Sequence, residues 1–292
     1  MSQNLDNPGL RSIFNQYNLF YIDIWGVIHN GVKIYNDSLE VLQNLKNENK
    51  EFVLLTNAPR PNLTVINFLK KIGLKDFYEN VYTSGEASLK FLLNNFIDQK
   101  FFHIGQVKDF DLFRKFNQNK VNRIEESDYI ICTGLFENKM TNLNYYKDTL
   151  KEQLEKKFIC TNPDLIVDKG NVREYCAGSV AKAFEEIGGK VIYFGKPYSP
   201  VYNLSANISN KNVLCIGDNM NTDIKGANNQ NFDSLLITSG IHNKEFTNYG
   251  INKLEKIYGT SVNYVQTKLK WWTKLKSTKI LRFWENIKMP WY

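Results

Sequence analysis

Unbroken apolar runs separated by amphipathic stretches extend through most of the chain. NLFYI (18–22), FVLLT (52–56), KVIYF (190–194), NVLCI (212–216) and SLLIT (234–238) do not alternate with polar residues. That is the pattern of strands covered on both faces of a parallel sheet. Between them SLEVLQNLKNE, NLTVINFLKKIG and SPVYNLSANIS space apolar residues three or four apart, which predicts the covering helices. The expected fold class is therefore α/β, with a Rossmann-like parallel sheet built from those five runs. Residues 84–189 repeat the alternation with separate strands KFFHIG, YIICTG and KFICTN, enough for an inserted α/β domain. The organisation expected is a core of residues 1–83 and 190–262, a cap of residues 84–189, and a tail of residues 263–292 where the alternation stops.

Composition narrows the class. A chain of 292 residues is about twice the ~150-residue domain prior. Its 42% hydrophobic and 23% charged residues exclude a disordered or collagenous protein. Cys132, Cys160, Cys176 and Cys215 form no CxxC pair, and three histidines give them little help, so neither a zinc site nor a disulfide framework is indicated. Buried thiols in a reducing compartment are expected. No window offers ~18 consecutive apolar residues, and MSQNLDNPGLRSIF lacks the build of a secretory signal, so a cytoplasmic address is expected without a transmembrane segment.

The net charge of +7 is concentrated at one end. Residues 264–292 carry seven Lys or Arg against the single acid Glu285, and the rest of the chain is almost neutral. Nucleic acid is accordingly not expected as a partner of the body. The tail also holds four of the five tryptophans. It could lie on an anionic membrane surface, contact nucleic acid, or fold back to bury Trp271 or Trp272, Trp284 and Trp291 while its lysines stay in water. The last reading is favoured, because the apolar positions keep no clean helical stripe.

Candidate chemistry collects at strand ends. Asp23 follows the first core run, where open α/β sheets place ligands, although strand ends also carry Asp as a cap or turn residue. Thr56 and Asn57 follow FVLL and offer a hydroxyl and amides to phosphate oxygens. Lys196, in Gly195-Lys196-Pro197, stands at an expected helix mouth that favours anions. Asp218 and Asp223, in GDNMNTD, are two acids able to hold a hard cation such as Mg²⁺. Each also reads as capping or turn chemistry alone; four such groups in succession point to a site.

DIWGV, LLTNA, FGKP and GDNMNTD, in this order, resemble the four motifs of the haloacid dehalogenase superfamily. A large insertion between the second and third motifs, with TNPD at 161–164 and CAGSVAKAFEEIGG at 176–189, is similar to the NagD-like branch of class IIA, whose cap is of the C2 type. The resemblance covers roughly residues 18–242. It implies that Asp23 is a nucleophile attacking phosphorus, and that Asp23, the Trp25 carbonyl and Asp218 hold Mg²⁺ with Asp223 nearby. It implies further that Thr56, the Asn57 amide and Lys196 bind the phosphoryl group. The function implied is Mg²⁺-dependent hydrolysis of a small phosphorylated metabolite through an aspartyl phosphate, with Asn162, Asp164 and Arg173 as cap residues contacting substrate.

One position departs from that pattern. Two residues after the nucleophile, phosphatases of the family have a second Asp as general acid and base; here it is Trp25. Without an acid, aryl and acyl phosphates should outrun alkyl phosphates. His29 is a candidate replacement, or else it packs or caps its hairpin. The aromatic residue also resembles the Tyr of the dehalogenases proper, which makes a dehalogenase-like hydrolase the rival enzyme. A phosphate-ligand binding protein with weakened turnover is the rival of another class. The pattern leaves room for a homo-oligomer and does not name the metabolite.

Overall fold

The structure, a computed structural model, describes residues 2–169 and 172–272. Seven parallel strands form the first sheet, in the order Gln3–Asn4, Tyr264–Gln266, Asp233–Ile237, Val213–Gly217, Leu19–Asp23, Glu51–Thr56 and Val81–Thr83. Side chains of successive residues point to opposite faces. Phe20, Ile22, Leu54, Leu214, Ile216 and Leu235 thus enter one apolar cluster, and Leu19, Tyr21, Val53, Leu55, Val213 and Cys215 the other. The helices Asn36–Asn47 and Asn62–Lys71 cover the first face with Val41, Leu42, Leu45 and Leu69. Ser84–Asn95, capped by the Thr83 hydroxyl accepting from the Glu86 N–H at 2.9 Å, and Ser199–Ser205 cover the second. The α/β class follows directly from the doubly apolar strands.

A second, five-stranded parallel sheet runs Val191–Tyr193, Lys157–Cys160, Tyr129–Cys132, Phe101–Ile104 and Lys120–Val121. Here the sequence reading needs correction: the run 190–194, expected in the first sheet, forms the edge of the second, with Ile192 opposite Ile159. An unbroken apolar run specifies a buried strand but not which sheet receives it. The second sheet shares a hydrophobic core with the first, since Phe101, Phe113, Phe116, Tyr129 and Ile131 pack in the cluster that holds Leu19 and Tyr21. Ile166–Lys169 and Val172–Tyr175 pair antiparallel as a separate two-stranded sheet.

Beyond residue 262 the strand departs from expectation, whereas the burial of Trp271 is what the fold-back reading expects. Tyr264–Gln266 is a core strand, and Trp271 is buried with its ring 4.8 Å from that of Phe14. Trp272 is half exposed beneath the guanidinium of Arg11. Three residues are too few to announce a strand by periodicity, and pairing with Gln3–Asn4 and Asp233–Ile237 fixes this one. Trp284, Trp291 and the surface-contact reading of the tail lie outside the described residues. Among the described residues no helix is long and apolar enough to cross a membrane.

Candidate active site

From Leu19–Asp23 the chain moves one way across the first sheet to Glu51–Thr56 and Val81–Thr83. After the second sheet it returns on the other side as Val213–Gly217. This reversal opens a crevice at the carboxyl ends of two neighbouring strands. Asp23 closes one of those strands and Asp218 follows the other. A wide helical turn, Met220–Ile224, brings Asp223 back to them, with its carboxylate accepting from the Asn219 N–H at 3.1 Å. Oxygens of Asp23, Asp218 and Asp223 lie within 4.8 Å of one another, and all three residues are buried.

Glycines make that convergence sterically feasible. A Cβ on Gly217 would lie 2.0 Å from Cγ of Asp223, and one on Gly240 would lie 2.0 Å from Oδ2 of Asp218. Gly26 has a positive φ of 85°, and a Cβ there would stand 2.1 Å from the same Asp218 oxygen. A side chain at any of the three would displace a carboxylate.

Lys196 is the cation of the cluster. Its Nζ donates to Asp23 at 2.5 Å, Asp223 at 2.7 Å and the Leu55 carbonyl at 3.1 Å. Burial alone would lower its pKa, but Asp223 and Asp23 overcome this and raise it, so the lysine stays charged. Asp23 is pushed upward by burial despite the lysine, with Asp223 and Asp218 adding to the rise. Burial and the Asp223 charge push Asp218 up to about 7. The covering helix begins at Ser199, so Lys196 lies on the turn before it and not at the helix mouth. Three carboxylates around one ammonium leave surplus negative charge in a low-dielectric pocket, and all their donors are oxygen. The set fits a hard divalent cation such as Mg²⁺.

Thr56 and Asn57 enter the same pocket. The Thr56 hydroxyl accepts from the Ala58 N–H at 3.2 Å and so shapes the turn. Asn57 is a rivet: its Oδ1 accepts from the Lys196 N–H at 2.7 Å, and its Nδ2 donates to the Lys196 carbonyl and to Asp164 Oδ1, both at 2.9 Å. Asp164 therefore reaches the pocket from the second unit. Asn162 is buried, with Oδ1 accepting from the Asp164 N–H at 2.9 Å, so its side chain shapes the loop.

The pocket, about 60 Å³, is lined by Asp23, Trp25, Thr56, Asn57, Asp164, Lys196, Asp218 and Asp223, with Ile166, Val167, Asn219, Thr222 and Ile241. Those last five were not singled out in the sequence. Gly170-Asn171 between two apolar runs is a hairpin signal that would have placed Ile166 and Val167 near the loop of Asp164. Ile241 takes part through its N–H, which donates to Asp218 at 3.0 Å.

A cleft of about 860 Å³ shares Ile166, Asn219, Thr222 and Ile241 with this pocket. Arg173 lines the cleft, not the pocket, and its charge acts on Glu245 and Tyr258. Tyr193 and Tyr198 stack in parallel there at 4.4 Å.

The histidines take other places. His29 is buried and accepts from the Gly31 N–H through Nδ1 at 2.8 Å, with its ring edge-on to Trp25 and Phe68. Burial lowers its pKa to about 4, which keeps it neutral. His103 pairs with the Thr133 hydroxyl at 2.8 Å, and His242 with Glu245 at 2.6 Å. All four cysteines are buried thiols outside any disulfide among the described residues.

Comparison with known proteins agrees with this architecture. Residues 20–118 match the profile of a family described as haloacid dehalogenase-like hydrolase, and residues 193–257 match one described as HAD-hydrolase-like. The chain belongs to the haloacid dehalogenase-like hydrolases. These matches agree with the NagD-like branch of class IIA that the motif order resembles. It is 22% identical over 234 residues to the 5′-nucleotidase YutF of Bacillus subtilis, covering 78% of this chain and 90% of that protein. It is 27% identical over 247 residues to the dihydroxyacetone phosphatase of Corynebacterium glutamicum, covering 77% and 82%. A haloacid dehalogenase-like hydrolase from Brucella suis 1330 superposes with a TM-score of 0.72 at 28% identity, covering 80% of this chain and 93% of that one.

Proposed function

We propose that the protein is a phosphatase that hydrolyses a small phosphorylated metabolite through an aspartyl phosphate on Asp23. The observation that carries this reading is the buried Asp23 carboxylate at the end of a central strand, held by Lys196 beside Asp218 and Asp223. Lys196 fixes one Asp23 oxygen, which orients the other for attack on phosphorus. Its ammonium also offsets the repulsion between that carboxylate and an incoming phosphoryl group. The Thr56 hydroxyl, the Asn57 backbone amide and Lys196 receive the phosphoryl oxygens, and Asn57 locks the loop that carries Lys196. Asp23, Asp218, Asp223 and the Trp25 carbonyl would hold Mg²⁺. When bound, the ion neutralises the surplus charge of the cluster and of the phosphoryl group.

Two of the proteins named above are a 5′-nucleotidase and a dihydroxyacetone phosphatase, which supports the substrate class, and the four buried thiols suit a cytoplasmic setting. The carboxylates at this site favour phosphoryl transfer over carbon–halogen cleavage. The test is a hydrolysis screen of phosphometabolites with and without Mg²⁺, run beside Asp23→Asn. Mg²⁺-dependent phosphate release, abolished in a folded Asp23→Asn protein, is the expected result. Wild-type rates in that variant would refute the mechanism. Binding of phosphorylated compounds with no turnover would establish the binding-protein reading in its place.

A further inference from the structure

Trp25 leaves the proposed reaction without a proton donor at its usual position, and His29 does not line the pocket. In-line displacement sets the leaving oxygen opposite the attacking Asp23 oxygen, on the side away from the strand ends. Four carboxylates line the pocket. Asp23 and Asp218 stand at the ends of core strands, Asp223 stands on the helical turn that follows one of them, and Asp164 alone enters from the second unit.

Asp164 is built into that place. Its Oδ1 accepts from Asn57, its N–H donates to Asn162, and its carbonyl accepts from the Gly178 N–H at 3.2 Å at the start of the helix Ala177–Glu186. A Cβ on Gly178 would meet that carbonyl oxygen at 2.6 Å, so the loop and helix are closely pressed together. The contact with Asn57 uses Oδ1 and leaves Oδ2 for a proton. We propose that Asp164 is the general acid of this enzyme, supplied by the inserted unit in place of the missing second Asp; the proposal rests on the phosphatase reading. Burial pushes its carboxyl up to about 6 despite the Asn57 hydrogen bond and the Lys196 charge, so a protonated fraction persists near neutral pH.

The step balances as follows. A free electron pair on Asp23 forms the bond to phosphorus while the phosphorus–oxygen bond to the leaving group breaks, its pair staying on oxygen. The Asp164 proton transfers to that oxygen, releasing an alcohol and leaving a carboxylate. Water then attacks the phosphorus of the aspartyl phosphate and gives a proton to Asp164. The bond to Asp23 breaks with its pair returning to the carboxylate, inorganic phosphate departs, and both acids are restored.

The test measures kcat/KM for p-nitrophenyl phosphate and glycerol 3-phosphate at saturating Mg²⁺ in wild type, Asp164→Asn and Asp23→Asn. A p-nitrophenolate leaves without a proton and an alkoxide does not. The alkyl-to-aryl ratio should therefore fall about 10²- to 10⁴-fold in Asp164→Asn, the usual worth of general acid catalysis. Both substrates are measured on one preparation, so the ratio does not depend on the folded fraction. Asp164→Ala serves if the amide variant does not fold. An unchanged ratio would make Asp164 a positioning residue for Asn57 and overturn the proposal. So would a wild type that hydrolyses the aryl ester alone, which leaves the phosphatase reading standing. That reading falls separately, if wild type hydrolyses neither ester or if Asp23→Asn keeps both rates.

Discussion

Replacing Asp218 by Asn should stabilise the metal-free protein. Asp218 is buried, and its carboxyl is pushed up to about 7 by burial and by Asp223. In the unfolded chain it titrates near its ordinary value. An acid whose folded pKa is raised loses its proton more easily on unfolding, so folding stability falls as pH rises through the window from about 4 to about 7. Three pKa units correspond to about 4 kcal/mol, an upper figure because neighbouring carboxylates share the effect. The nearly isosteric amide carries no charge and keeps an oxygen for the Ile241 N–H. At pH 8 in chelator, Asp218→Asn should gain about 1–4 kcal/mol, or several degrees in Tm for a chain of this size. At pH 5 the gain should shrink. Saturating Mg²⁺ should raise the Tm of wild type and leave that of the variant almost unmoved. Thermal unfolding with and without chelator at both pH values is the assay. A variant less stable than wild type at pH 8, or a difference that does not shrink towards pH 5, would refute the idea that repulsion dominates the empty cluster.

Two further predictions concern the scaffold. His103 is buried, and burial aided by Lys120 lowers its pKa to about 3; stability is complete above the unfolded value of about 6.5 and is lost as pH falls, so about 2 kcal/mol should disappear between pH 6.5 and 5. His103→Asn should remove that share of the acid dependence in denaturant titrations at saturating Mg²⁺, and an unchanged slope would count against it. Trp271→Ala should cost about 3–5 kcal/mol, because it removes the ring packed on Phe14; a loss under 1 kcal/mol would mean that the segment after Gln266 is not part of the core.

Much of the site was legible because parallel strands covered on both faces are written as unbroken apolar runs, and three of these runs end on, or just before, a residue that faces the crevice. Asp23, Thr56 and Asp218 could be placed at one edge from this alone. The convergence of Asp223 on Asp218 was harder to see, since it needs a wide turn and three glycines that contribute space and no chemistry. Asp164 could be named but its reach into the pocket could not, because that depends on Asn57, 107 residues away in sequence. The run at 190–194 and the strand Tyr264–Gln266 were misread for a common reason. Their partners are distant in sequence, and local pattern carries no information about pairing.

The loop after the Glu51–Thr56 strand is gripped from the second unit at both ends. Asn57 takes Asp164, and Arg60 takes Asp111 through Nε and Nη2 at 2.8–3.1 Å, with Asp109 at 3.5 Å. Asp111 also accepts from Thr64, and Asp109 from Thr133, whose hydroxyl meets His103. Lifting the second unit away would break these partly buried charge pairs and split the apolar cluster that the two units share. The cleft of about 860 Å³ borders the smaller pocket, sharing Ile166, Asn219, Thr222 and Ile241 with it while Asp164 stays on Asn57. If Asp164 is the general acid proposed above, a unit held in this way keeps it fixed, and discrimination among substrates would fall to the lining of the cleft, where Arg173, Tyr193 and Tyr198 stand.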